Sequence, residues 1–204
     1  MKSWRRWLRR LRPSRGGLVR ACWKVGLTGA LFFALTSPAV AFYDTPGLNG
    51  IASKLAGRKV TIHCLTPQES AADPIILWGA SAYVEGISDP VTGRWVPFNY
   101  AVFAYGQCET LTAIAAGDLS GRDFDSAVWA VMVITHESGH LKGKSWSYDE
   151  AKTQCWALRH MKSTLWQLGV RDPAVVSFYT AWALDIQKEM PPEYQPAQCR
   201  YPVP

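Results

Sequence analysis

Thr135-His136-Glu137-Ser138-Gly139-His140 closes the run Ala127-Val128-Trp129-Ala130-Val131-Met132-Val133-Ile134. The run is apolar on every side, and a helix of that kind is buried. Asp125 offers an N-cap and Gly143 a C-terminal stop, so the sequence predicts a helix from Asp125 to about Lys142. Its last turn carries H-E-x-x-H. Residues four apart share one helical face, about 6 Å apart along the axis. Two imidazoles reaching from there can each place a nitrogen about 2.0–2.1 Å from one zinc ion. Glu137 stands beside the first histidine, placed to take a proton from water that the metal polarises. Three of the four histidines fall between positions 136 and 160, which favours a site. The plain alternative is a helix end whose polar groups only cap and solvate it.

A catalytic zinc takes three protein ligands and a water. Glu150, opening a second helix that spans Tyr148 to about Leu168, is the candidate third ligand. Two other readings stay open. Ser147-x-x-Glu150 is also a capping box, in which the glutamate folds back on the Ser147 N–H. Asp149 is an alternative ligand, and His160, nearly three turns on, a remote one. A third histidine in the metzincin spacing is excluded, because Trp146 stands at that place and cannot bind zinc.

The stretch from His136 to Gly143, followed by Asp149-Glu150-Ala151 and Cys155, resembles zincin metallopeptidases of the gluzincin type. It is also similar to small exported bacterial proteins with a short spacing from HExxH to the glutamate. The resemblance covers roughly residues 125–160. It implies a two-helix zinc site with a small sheet lining the cleft, with His136, His140 and Glu150 as ligands and Glu137 as general base. The nine-residue loop between His140 and Glu150 leaves little room for the extra subdomain of larger gluzincins. That short loop argues against ordinary broad endopeptidase activity.

The N-terminus reads as a separate part. Nine basic residues precede Lys24 or include it, no acid appears before Asp44, and Val25 to Leu35 is uncharged and apolar. With Ser37-Pro38-Ala39-Val40-Ala41 after it, this is the pattern of a secretory signal over 1–41, cleaved after Ala41 or retained as an anchor. The whole chain carries +6, but residues 42–204 hold 13 basic residues against 16 acidic, a net −3. The basicity is a targeting feature, so nothing electrostatic points to nucleic acid. Contact with a membrane is expected only through an uncleaved leader. The 163 residues from 42 onward suit one domain, secreted or in the cell envelope. They contain Cys64, Cys108, Cys155 and Cys199. Two disulfides are expected in an oxidising compartment, with Cys64–Cys108 and Cys155–Cys199 favoured among three possible pairings.

Elsewhere, residues 42–57 read as a polar lead-in. Lys59 to Leu65, Ala80 to Glu85 and Ala101 to Tyr105 read as strands, and Ser88 to Gly93 as a turn. Cys108 to Ala116 suggests a short helix, and Pro173 opens a third main one running to about Lys188. The tail from Pro191 reads as extended. The fold class is α+β: a zincin-like domain with a small mixed or antiparallel sheet, about three main helices and two disulfides. Tyr148, Tyr179 and His160 are candidates for stabilising an oxyanion. The expected activity is zinc-dependent hydrolysis of a peptide bond in a peptide or protein substrate. The alternatives are a non-catalytic zinc protein of the cell envelope on the same scaffold, and a disulfide-stapled binding module without metal.

Overall fold

The computed structural model describes residues 43–77, 79–118, 123–195 and 199. The leader and its cleavage point lie outside the described residues. Strand β1 (Tyr43–Asp44) leads into helix α1 (Pro46–Ala56), then strand β2 (Thr61–Cys64). Short helices α2 (Pro67–Ser70) and α3 (Pro74–Leu77) precede strands β3 (Ala82–Ser88) and β4 (Trp95–Phe103). Four longer helices follow: α4 (Tyr105–Ala115), α5 (Phe124–His140), α6 (Glu150–Gln167) and α7 (Pro173–Gln187). A single 3-10 turn, Pro192–Tyr194, ends the described elements.

The sheet is mixed, in the order β1-β2-β4-β3. β1 pairs antiparallel with β2, β2 parallel with β4, and β3 antiparallel with β4. β2 alternates as its sequence predicts: Val60, Ile62 and Cys64 are buried, while Thr61 and His63 are partly exposed. β3 and β4 form a hairpin closed over Asp89–Gly93, with Asp89 capping the turn through Val91 N and Thr92 N.

Several expectations need correction. Residues 42–57 are no polar lead-in, because 46–56 form α1. Leu48, Ile51, Ala52 and Leu55 recur at helical spacing and are buried, which outweighs the low helix propensity of Gly47 and Gly50. β4 runs from Trp95 rather than Ala101, and Tyr105 already belongs to α4. With α1 included, the described residues hold five helices of eleven residues or more instead of three.

At the centre lies α5. Its residues from Ala127 to His140 are buried except Trp129, so the apolar run is walled on nearly every side. α1, α4, α6 and α7 pack against it, as do β3 and β4. Asp123, not Asp125, occupies its N-cap position; Asp125 instead accepts a hydrogen bond from Trp182 Nε1 at 2.6 Å. The two disulfides are Cys64–Cys108, joining β2 to α4, and Cys155–Cys199, joining α6 to the C-terminal segment.

Candidate metal centre

The last turn of α5 and the first turn of α6 meet because nothing projects from Gly139. A Cβ there would stand 2.8 Å from Thr153 Cγ2 and 2.9 Å from the Trp156 ring. The glycine therefore lets α6 cross close enough for its first residue to reach the histidines. The chain between the helices is short. Gly143 turns it with φ +62°, a conformation that favours glycine. Arg94 Nη2 donates to the Gly143 carbonyl at 2.8 Å, tying the loop to the β3–β4 hairpin.

His136, His140 and Glu150 converge as the sequence reading expects. His136 Nε2 lies 3.0 Å from Glu150 Oε2 and 2.9 Å from His140 Nε2, and His140 Nε2 lies 3.4 Å from the same carboxylate oxygen. Three donors about 2.05 Å from a tetrahedral metal stand roughly 3.3 Å from one another. The observed triangle fits that requirement within a few tenths of an ångström. This group could hold a metal ion.

The outer nitrogens decide the tautomers. His136 Nδ1 faces Gln154 Oε1 at 2.8 Å, and His140 Nδ1 faces the Ser147 carbonyl in a short hydrogen bond. Both partners are acceptors, so both Nδ1 atoms carry the proton. The Nε2 atoms are then turned inward towards Glu150, where a metal ion would take up their lone pairs on displacing any proton there. Such orientation by outer partners is how ligating histidines are held in metal sites.

Electrostatics follow from that crowding. Burial disfavours the charged form of His140. The hydrogen bond to Glu150, the charges of Glu137 and Glu150 and the Ser147 carbonyl overcome it, and the imidazole is pushed up to about 9. Burial works against ionised Glu150 as well. Its hydrogen bonds to His136 and His140 and their charges prevail, holding the carboxyl well below the usual range. Glu137 is raised chiefly by burial: the histidines pull the other way and the like charge of Glu150 adds to the rise. At 8% exposed, Glu137 is a buried base adjoining the cluster.

Neither competing role for the residues around Glu150 is realised. Asp149 is the N-cap of α6, accepting from Lys152 N at 3.0 Å and pairing with Lys152 Nζ at 2.9 Å. Ser147 Oγ accepts from Lys144 N at 3.1 Å. Glu150 is thereby released from capping and turns to the histidines. His160 stacks on Trp156 at 4.1 Å, with Nδ1 against the Trp156 carbonyl. Thr135 bonds to Val131 O and Thr164 Oγ1, a packing role.

None of the three candidate oxyanion donors hydrogen-bonds to His136, His140 or Glu150. Tyr148 is 59% exposed. Tyr179 packs edge-on against Phe124, at the far end of α5 and about 25 Å along its axis from His140. Tyr194 lies beside the cluster, its ring centre 5.7 Å from that of His136. Burial, and then the charges of Glu150 and Glu137, raise it to about 12, so its hydroxyl remains protonated. Trp95, on the hairpin, meets His140 edge-on at 6.4 Å. Gln154 and Gln187 were also missed: Gln154 Nε2 donates to Gln187 Oε1 at 2.7 Å, and Gln187 Nε2 donates to the Tyr194 carbonyl at 2.8 Å. No local spacing in the sequence signals these three residues.

The chain matches no family model, no curated protein and no solved structure.

Proposed function

We propose that the protein is a zincin-like, zinc-dependent hydrolase that cleaves peptide bonds outside the cytoplasm. The observation that carries this reading is the position of Glu137. It is a buried carboxyl of raised proton affinity, on the same turn as two histidines whose Nε2 atoms face Glu150. A metal that served only to staple two helices would have no use for it.

When bound, zinc would supply a Lewis acid that polarises the substrate carbonyl and makes water easier to deprotonate. His136, His140 and Glu150 would hold the ion, with Gln154 and the Ser147 carbonyl fixing the imidazoles. Glu137 accepts a proton from the attacking water as its oxygen bonds to the carbonyl carbon. It then returns that proton to the leaving nitrogen as the C–N bond breaks. The two disulfides support a site of action in an oxidising compartment. No helix among the described residues is long and apolar enough to cross a membrane.

A non-catalytic envelope protein on the same scaffold would favour a closed set of four ligands. Asp149 is the natural fourth, and its engagement with Lys152 supports the open, hydrolytic reading instead. The test is Glu137→Gln in the oxidised protein, assayed on a mixed-sequence quenched fluorescent peptide library. Hydrolysis should fall by about 10²–10⁴ with the zinc content unchanged. Full hydrolysis by the variant would overturn the proposal.

A further inference from the structure

Where α1, β4 and the loop after α5 meet, cations bonded to backbone carbonyls hold the chain together. Arg58 Nη2 donates to Phe98 O at 2.8 Å and to Pro97 O at 3.4 Å. Lys142 Nζ donates to Leu55 O at 2.9 Å, and Arg94 Nη2 to Gly143 O. Pro97 stands at the junction, since a Cβ on Gly143 would lie 3.9 Å from its Cγ. Lys54, Lys59 and Lys144 lie on the same segments and are exposed. None of these six cations is within ion-pair distance of an acid among the described residues. A carbonyl is neutral, so their charge is uncompensated. The two acids of the hairpin are engaged: Asp89 accepts from Val91 N and Thr92 N, and Glu85 from the Tyr100 hydroxyl. Apart from these eight residues, positions 42–204 hold seven basic residues against fourteen acidic. The net charge of −3 thus conceals one cationic end on an otherwise acidic domain.

That end also carries an apolar face. Ile87 pairs with Val96 across the hairpin, and Phe98 follows Val96 by two, so all three side chains leave the sheet on one side. Trp95 and Pro97 alternate with them on the other side, where Trp95 meets His140. Val91, at the turn, is 91% exposed, and Ile87 57%. Of the nine most exposed large apolar side chains among the described residues, four lie between positions 87 and 98. A single exposed apolar side chain is ordinary, but a group of them bordered by cations marks an interaction surface.

We infer that this face docks on an anionic bilayer, with Ile87, Val91, Val96 and Phe98 entering the interface and the six cations meeting lipid phosphates around them. The two features together decide the partner. Each cation near an anionic membrane surface favours binding, and each apolar side chain adds a burial that a soluble polyanion does not offer. An acidic peptide would use the cations and leave Val91 in water. A second copy of the chain, docked on the same face, would bring like charges together. Docking of this kind is independent of what the candidate centre does. It sets that centre one strand's depth from the headgroups, because Trp95 turns to His140 from the strand whose other face enters the interface.

The experiment mixes the exported, oxidised protein with vesicles of phosphatidylglycerol in phosphatidylcholine, or of phosphatidylcholine alone. Partition is read by co-sedimentation, and amide hydrogen exchange locates the contact. The protein should bind the anionic vesicles, more weakly at high salt, with exchange slowed across residues 87–98. Lys54→Gln/Lys59→Gln/Lys144→Gln should weaken binding about fivefold per cation, roughly 100-fold together. Val91→Ser leaves the charge unchanged and should weaken it about tenfold. None of these four side chains has a hydrogen-bond partner among the described residues, so the fold should stand. Absence of binding to anionic vesicles overturns the inference. Binding that leaves exchange at 87–98 unchanged does so too, since the contact then lies elsewhere in the chain. Loss on removing the lysines with none from Val91→Ser would make the partner a soluble polyanion. Slowing at 87–98 that grows with protein concentration in the absence of lipid would make it a second copy, and either result replaces the bilayer.

Discussion

The candidate ligand set and the segment beside it are built by different means. His136 and His140 are four residues apart on one helix, and Glu150 is 14 from His136. One tight turn and one helix crossing bring them together. Gln154 and Gln187 are 33 apart, and Cys155 and Cys199 are 44 apart. That side of the site requires α7 to be packed and the disulfide closed. Local helix geometry thus makes a place for a cation, while tertiary and covalent closure shape what lies over it. Metal binding should survive damage to the second region, and substrate chemistry should not.

The largest effect tests the first half of that contrast. Glu150→Ala removes one donor of three and leaves two inward Nε2 atoms without their anion. Zinc affinity should fall by more than about 100-fold, beyond the range usual for losing an outer partner. Competition with a chelating dye measures it. Equal affinity would move the third ligand elsewhere and break the comparison at its base. Gln154→Leu sits where the two regions join. It removes the acceptor for His136 Nδ1–H and cuts the amide chain to Tyr194. About 10–100-fold loss of zinc affinity is expected, with a further loss of hydrolysis at saturating zinc. If only the affinity changes, the amide chain through Gln187 has no part in hydrolysis.

The contrast also explains how much could be read from the sequence. The H-E-x-x-H turn was legible because its meaning lies within four residues of a helix whose burial is plain from Ala127 to Ile134. Glu150 was legible as the candidate third ligand, with a capping-box role and its neighbour Asp149 left open as alternatives, since both residues open α6. The choice depends on Lys152, whose backbone N–H and ammonium both bind Asp149. α1 was misread because Gly47, Asn49 and Gly50 obscure a sound apolar periodicity. The first half of β4 was misread because Pro97 and Asn99 are poor strand residues. Pro97 is accommodated opposite Gly86, next to the register shift in β3, where the Trp95 ring lies so close to Gly86 that a Cβ would meet it at 2.5 Å. Gln154, Gln187 and Tyr194 acquire a role only after distant helices have packed, and no spacing rule reaches that far.

Protons sharpen the comparison further, with an effect of about tenfold per pH unit. In the metal-free protein His140 titrates near 9 against an ordinary 6.5. Its protonated form is favoured by the fold, so that contribution to stability is complete below pH 6.5 and lost as pH rises through 9. Glu150 is shifted the other way, and its contribution is present above its ordinary 4.5 and lost as pH falls through its depressed value. Zinc must displace the His140 proton, so its affinity should rise about tenfold per unit between pH 6.5 and 9. Calorimetry in buffers of different ionisation enthalpy should show close to one proton released at neutral pH. No proton release would mean that His140 is not among the ligands.

The smallest effect separates two adjacent carboxylates. Asp149→Ala removes the N-cap of α6 and its exposed pair with Lys152. The cap is worth about 0.5–2 kcal/mol, and the pair adds little because solvent screens it. The melting temperature should drop slightly, while zinc affinity and hydrolysis stay within a factor of about two, because the Asp149 oxygens face Lys152 rather than the histidines. Set beside Glu150→Ala, the pair of variants asks whether one step along the chain separates a residue that begins the helix from one that uses it. A large loss of zinc in Asp149→Ala, with the fold intact, would mean that the cap position is a fourth ligand. The site would then be closed, and the structural reading would replace the hydrolytic one.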